Sequence, residues 1–330
     1  MNAKIIIAAV AAALGAVGVA QVVGFAKMRL TVHVIDEDGK PVPEAQGTFL
    51  FKEDLASLDK PHEYQVTTDN NGNFTLDAHS NDGVLGSTGQ AIHKDGYYNS
   101  SVNAGPFETF ENGHWLPWDQ TYTTVLRKIG TPIPLYVRRL AVKIPAAVNE
   151  ARGFDLVEAD WVAPFGKGKV RDFIVTVTNA QYRSDNDYET NAAITFSNPD
   201  DGIQEVQLPP QFANSVFKWP RLAPENGYQS KLETQRLWLN IQRGHTQSIN
   251  TAKEDQAYFF RVRTLKQGGK ILSALYGKIL GGISVGYGSA NYGFIQFTYY
   301  LNPAPLDRNL EFSGNSLFTN LDSDEIFHAP

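Results

Sequence analysis

From residue 29 onward the apolar residues recur at every second position. In "RLTVHVID" (29–36), Leu30, Val32 and Val34 fall on one side and Thr31, His33 and Ile35 on the other. That period of two, carried by β-branched side chains, predicts a β-strand. "QGTFLFK" (46–52) and "NFTLDA" (73–78) repeat it, and "GQAIHKDGYY" (89–98) follows it less cleanly. "TYTTVLRKI" (121–129) sets Tyr122, Thr124 and Leu126 on one face. Gly, Asp and Asn clusters separate these runs, as short antiparallel connections require. Further strands are predicted at "RDFIVTVTN" (171–179), "RLWLNIQRG" (236–244) and "AYFFRVRT" (257–264). "GFIQFTYYLN" (293–302) is aromatic on both faces, which predicts a central strand. Helices are expected in three places only: an apolar leader, "EDLASLD" (53–59) and "LKQGGKILSALYG" (265–277).

Many short strands at regular spacing predict an all-β chain of two β-sandwich domains, preceded by an N-terminal hydrophobic helix. The expected domains are 29–130 and 151–311. Between them, "GTPIPLYVRRLAVKIPAAVNEA" holds three prolines, each removing a backbone donor, so 131–150 reads as a Pro-rich, docked connector. Residues 312–330 form a polar C-terminal extension with spaced Leu317, Phe318, Leu321, Ile326 and Phe327. It is expected either to dock or to reach a neighbouring subunit as an arm.

At the N-terminus, Lys4 precedes an uncharged stretch, 5–26, in which Gln21 is the one polar side chain. A basic start, an apolar run and small residues match a secretory signal peptide, and the same run is long enough to span a bilayer. Residues 1–28 are therefore read as a signal peptide or a membrane anchor, and the chain as exported: periplasmic, cell-surface or secreted. Lys27 and Arg29 put positive charge on the far flank too, so orientation stays open.

Composition narrows the classes. A chain of 330 residues with 42% hydrophobic and 19% charged residues has enough apolar material for a folded core. A net charge of -6 argues against a nucleic-acid partner, and membrane contact is expected only through an uncleaved N-terminal helix. The absence of cysteine excludes a disulfide framework, thiol catalysis, cysteine-ligated zinc and a lipidated cysteine. It suits a bacterial or viral origin better than a secreted eukaryotic one.

Few stretches look chemical. "DEDGKPVPEA" (36–45) crowds three acids, yet Gly39 comes too early for a calcium loop and the prolines stiffen the rest. "DNNGNFTLD" (69–77) has the same fault at Gly72. Both read as turns, with Asp binding local amides and Gly accepting positive φ. "FGKGKVRDF" (165–173) lacks the serine or threonine and the helix of a phosphate loop. "GGISVGYGSANYG" (281–293) reads as bends, bulges or close strand approach. Seven histidines show no ligand spacing and no G-x-S-x-G elbow occurs. Paired carboxylates exist at Glu158/Asp160, Asp185/Asp187 and Asp200/Asp201, more simply solvated turn acids than catalysts. The chain thus points away from an enzyme, with no cofactor, no metal and no catalytic residue assigned.

Trp115 and Trp118 in "NGHWLPWDQTYTT" (112–124) are the binding candidates: a flat aromatic surface for a sugar ring, or a wedge that buries apolar area. Trp161, Trp219 and Trp238 lie beside strand patterns and read as core or interface residues. Partners are accordingly a glycan, or a protein added at exposed strand edges or the C-terminal arm.

Three motifs carry a family resemblance. They are Asp36, Gly39, Pro41, Val42 and Ala45; Thr68, Asp69, Gly72 and Phe74; and Lys94, Gly96 and Tyr97. In that order and spacing, residues 29–105 resemble the carboxypeptidase regulatory-like (transthyretin-like) β-sandwich domain, with an insertion, "KEDLASLDKPHEY", between the second and third strands. The resemblance implies a β-sandwich outside the cytoplasm that serves as a spacing or binding module, and it brings no catalytic residues. The remaining chain resembles uncharacterised exported bacterial proteins. The expected function is a non-catalytic exported structural or binding protein. Alternatives are a carbohydrate-binding accessory protein, a hydrolase on the second domain, or a virion or fibre component.

Overall fold

A computed structural model of the chain describes residues 26–52, 61–80, 83–241, 245–253, 255–287 and 292–330. The apolar leader through residue 25 and the 53–59 segment lie outside the described residues. The described chain is all-β, with one 3-10 turn at Pro210–Phe212 and no α-helix. It divides into two units, the first made of 1–129 with 209–218, the second of 130–208 with 219–330.

The first unit holds β1 (Lys27–Asp36), β2 (Gln46–Phe51), β3 (His62–Thr67), β4 (Asn73–His79) and β5 (Gly86–His93). After them come β6 (Tyr97–Tyr98), β7 (Thr109–Glu111), β8 (His114–Leu116) and β9 (Gln120–Lys128). One sheet runs β6-β9-β1-β8-β7, with β4 also on β1; the other is β3-β2-β5. The alternating side chains face one shared core: Leu30, Val32 and Val34 of β1, Phe49 and Phe51 of β2, Phe74 and Leu76 of β4, and Leu126 of β9. Both sheets contribute to that core, as period-two patterning favours.

Residues 209–218 complete this unit from far along the chain. Ser101 N–H donates to Asn214 O at 2.9 Å and Val216 N–H to Asn99 O at 2.9 Å, bridging Ser100 to Ser215. Phe217 is fully buried. Arg127 donates to its carbonyl at 2.9 Å and to Glu37 Oε2 at 3.1 Å, while the rings of Phe212 and Phe217 lie 4.1 and 4.6 Å from the guanidinium.

The second unit holds β10 (Ile133–Ile144), β11 (Ala151–Asp155), β12 (Asp160–Trp161), β13 (Phe173–Ser184), β14 (Asp187–Thr195) and β15 (Gly202–Glu205). They are followed by β16 (Lys231–Ile241), β17 (His245–Asn250), β18 (Ala257–Gln267), β19 (Lys270–Tyr287), β20 (Gly293–Leu301) and β21 (Phe312–Ser316). Its sheets run β15-β18-β19-β20-β10-β21 and β12-β11-β13-β14-β16-β17, and both feed one core that includes Phe154, Phe173, Phe260, Phe297 and Tyr299.

Two expectations need correction, and the alternatives left for the C-terminal extension are decided. Residues 131–150 are mostly β10, an inner strand paired to β20 from Tyr136 to Ile144, and not a connector. Pro132, Pro134 and Pro145 all lie outside that ladder, so no paired amide is lost. Residues 265–277 form a hairpin between β18 and β19, not a helix. Gln267 pairs with Lys270, and Gly268 and Gly269 turn the chain with φ of 58° and 81°, the conformation a two-residue hairpin demands. The extension 312–330 docks on its own unit: β21 lies parallel to β10, and Arg138 Nε donates to Glu325 Oε1 at 3.0 Å. The Phe318 ring meets Tyr136 at 5.0 Å.

Candidate functional site

The acidic turns are structural. Asp36 Oδ1 accepts the amides of Asp38 and Lys40, each at 2.9 Å, and Oδ2 takes the Lys128 ammonium at 2.7 Å. Burial alone would raise the Asp36 carboxyl, but Lys128 and the two amides outweigh it and hold the group below its ordinary value. Gly39 adopts φ of 77°, and Pro41 bridges back to Ile35. Asp69 accepts the amides of Asn71 and Asn73 at 2.9 and 2.8 Å. Gly72, with φ of 75°, lies so close to Val34 O and Val42 N that a side chain there would collide with backbone. Gly96, φ of 81°, closes a turn in which Tyr97 N–H donates to Lys94 O at 3.0 Å. Among the described residues, no group of three His, Cys, Asp or Glu is arranged to hold a metal ion.

Trp115 and Trp118 are not brought together. Strand alternation puts Trp115 on the face of β8 opposite His114. Trp115 packs beside the core, with Phe110 at 5.6 Å, and its indole N–H donates to Ser80 O at 2.8 Å. Trp118 lies on the other side, its ring 4.1 Å from that of His114. Trp161 and Trp219 are buried, whereas Trp238, expected in the core or an interface, is 37% exposed.

The paired carboxylates are engaged by their own surroundings. Glu158 takes Lys169 Nζ at 2.7 Å, and Asp160 the amides of Trp161 and Lys167. Asp187 takes Arg183, Asp200 takes Lys266, and Asp201 takes the amides of Arg263 and Thr264. Two buried acids that patterning alone did not single out, Asp155 and Asp172, form an electrostatic cluster with Arg263. Arg263 Nη2 reaches Asp155 Oδ1 at 2.7 Å and Asp172 Oδ2 at 2.8 Å, and its Nε reaches Asp172 Oδ1 at 2.8 Å. Asp155 further accepts amides from Val157, Glu158, Lys169 and Val170. Burial would raise its carboxyl, but the Lys169, Val170 and Glu158 amides and Arg263 leave it below the ordinary value. Burial dominates at Asp172 and raises it. The cluster ties β11, β18 and the 156–172 loop together, and every acid in it is occupied by a local donor.

Lys278 on β19 is fully buried, its ammonium 5.1 Å from the Trp219 ring and 4.4 Å from the Tyr300 ring. It is a core cation held over aromatic faces.

A further candidate is an aromatic cleft at one end of the second unit, a cavity of about 300 Å³ lined by Tyr182, Asp185, Tyr188, Arg236, Gly286, Tyr287 and Phe294. The sheet register builds it. Tyr182 on β13 pairs with Tyr188 on β14, which pairs with Trp238 on β16. Directly paired residues project to the same face, so the three aromatics form a row across three neighbouring strands, roughly 10 Å long. One step inward the next row is Ala180, Thr190 and Arg236. Opposite them, Phe294 on β20 pairs with Gly286 on β19, and a Cβ at Gly286 would overlap its ring. Glycine there lets Phe294 lie flat on β19 and leaves the cleft open.

The Arg236 guanidinium lies 5.5 Å from the Tyr188 ring and 5.9 Å from the Phe294 ring. Asp185 accepts the Tyr182 hydroxyl and is the one acid lining the cleft, whereas glycoside hydrolysis needs two. Sequence reasoning missed the site because its residues come from five separated strands. The available signal was the alternation of Arg236 and Trp238, polar and aromatic in phase on one strand face.

No family model and no curated protein matches the chain. One solved structure, described as that of a candidate membrane-associated protein of unknown function from Bacteroides fragilis, is 12% identical. It spans 85% of this chain and 98% of its own, at a TM-score of 0.19, a likeness too slight to carry an argument.

Proposed function

We propose that the chain is an exported, non-catalytic binding protein of two β-sandwich domains, whose second domain holds a saccharide in the aromatic cleft. Its first domain, of the carboxypeptidase regulatory-like kind, acts as a spacing module. The reading rests on one observation: Tyr182, Tyr188 and Trp238 form a continuous, partly exposed aromatic row beside a cavity. Flat aromatic faces bury the apolar faces of pyranose rings, while hydroxyl and charged neighbours meet their polar edges. Export rests on the basic start and apolar run of residues 4–26. A non-catalytic role agrees with the single carboxylate in the cleft and with the local donors that occupy the paired acids.

Glycan-array binding by the purified protein, with Trp238→Ala and Tyr188→Ala as controls, tests the reading. Binding should fall at least tenfold in each variant while thermal melting stays near that of the parent. Binding unaffected by both substitutions would move the site elsewhere.

A further inference from the structure

Arg236 stands apart from the other half-buried arginines described in the second unit. Among the described residues its guanidinium has no hydrogen bond and no carboxylate partner, only the faces of Tyr188 and Phe294. It is half-buried and lines the cleft, which leaves its planar fork of five donors open to an acceptor that enters there. Directly opposite it on β14, Thr190 is 1% exposed, and its buried hydroxyl also lacks a partner among the described residues. Paired residues on one sheet face stand about 5 Å apart at Cβ, so a cationic and a neutral donor without acceptors adjoin at the inner side of the aromatic row. A guanidinium that lines a cavity over ring faces, with no carboxylate of its own, presents a planar fork of donors to an anionic acceptor.

The chemistry of the occupant follows from that juxtaposition. Its flat faces must suit Tyr182, Tyr188 and Trp238, and its acceptor must reach one step deeper than the row. We propose that the cleft recognises an acidic saccharide, with Arg236 receiving the carboxylate of a uronic acid while the aromatic row stacks on the sugar rings. This inference rests on the saccharide reading of the cleft and adds the charge of the ligand. A linear sugar chain fits better than a peptide. The row runs across the strands, where a peptide adding to the sheet would run along them and need a free strand edge. The strands that carry the row, β13, β14 and β16, are all internal to their sheet.

The test is calorimetric titration of the full-length protein with oligogalacturonate, oligomannuronate and a glucuronate-containing oligosaccharide, each beside its carboxyl-reduced, neutral counterpart. At least one acidic chain should bind, and its reduced counterpart should bind on the order of ten- to a hundredfold more weakly. Arg236→Gln should lower the affinity for the acidic chain on the order of tenfold more than that for the neutral one. Arg236→Lys should give an intermediate value, since the charge stays and the planar fork is lost. Raised salt should weaken the acidic chain alone. Equal binding of acidic and neutral chains, or equal loss of both in Arg236→Gln, overturns the carboxylate assignment and leaves the saccharide reading standing. Absence of binding to every chain overturns both. Arg236-dependent binding of poly-glutamate without any saccharide binding overturns the proposal in favour of an acidic peptide.

Discussion

Arg263 and Arg236 both project from strands of the second unit, on β18 and β16, and they meet opposite fates. Arg263 spends its Nε and Nη2 on Asp155 and Asp172, three bonds of 2.7 to 2.8 Å to carboxylates that are almost wholly buried. It even adopts φ of 57°, a backbone conformation that a non-glycine residue takes only when its surroundings enforce it. Arg236 has two ring faces and an open cavity. The first arrangement is closed chemistry, in which every charge has its counterpart within the fold. The second is open. Comparing the two separates residues that hold the fold from those available to a ligand.

That comparison breaks most visibly under substitution. Arg263→Ala leaves two buried carboxylates without their cation and should cost about 3–5 kcal/mol in urea denaturation. Arg236→Gln should change stability by no more than about 0.5 kcal/mol. Equal losses in the two variants would make Arg236 a structural residue as well. Gly286→Ala, which drives a methyl group into the Phe294 ring, should cost about 1–3 kcal/mol and weaken saccharide binding together. A loss of stability without a loss of binding would detach Phe294 from the site.

The pH dependence sharpens the same contrast. The Asp155 carboxyl is held below its unfolded value of 3.8, so its contribution is fully present above that pH and fades as pH falls through the lower folded value. Asp172 is raised by burial and carries the opposite sign: protonation relieves it. Denaturation midpoints followed from about pH 5 to about pH 2 should therefore fall less steeply in Asp155→Asn than in the parent. The same series on Arg236→Gln should run parallel to the parent.

Alternation was legible wherever one face met the core. β1, β2, β4 and β9 lie where the pattern of apolar and polar residues put them, because Leu30, Phe49 and Phe74 are each buried between less buried neighbours and Thr124 and Leu126 share the buried face of β9. Legibility failed for β10, where prolines at the ends of a strand look the same as prolines in a linker. It failed again at 265–277, where two glycines between apolar runs signalled a hairpin and the apolar spacing suggested a helix. The aromatic cleft was illegible for a different reason. Tyr182, Tyr188, Trp238 and Phe294 acquire meaning through register, and register is a relation between strands that no single window of sequence contains. The turn aspartates were readable because an Asx turn is local: Asp36 and Asp69 bind amides within four residues of themselves.

The segment 209–218 also sets an order of events. Arg127 is sealed only when Phe217, 90 residues further along, has been made and has returned to it. At ribosomal rates of about 5–20 residues per second, the earlier part of the chain waits on the order of ten seconds for its last piece. Throughout that interval Arg127 and the strand backbone at Asn99–Ser101 remain open to solvent, to chaperones and to the segment's own counterpart in another nascent chain.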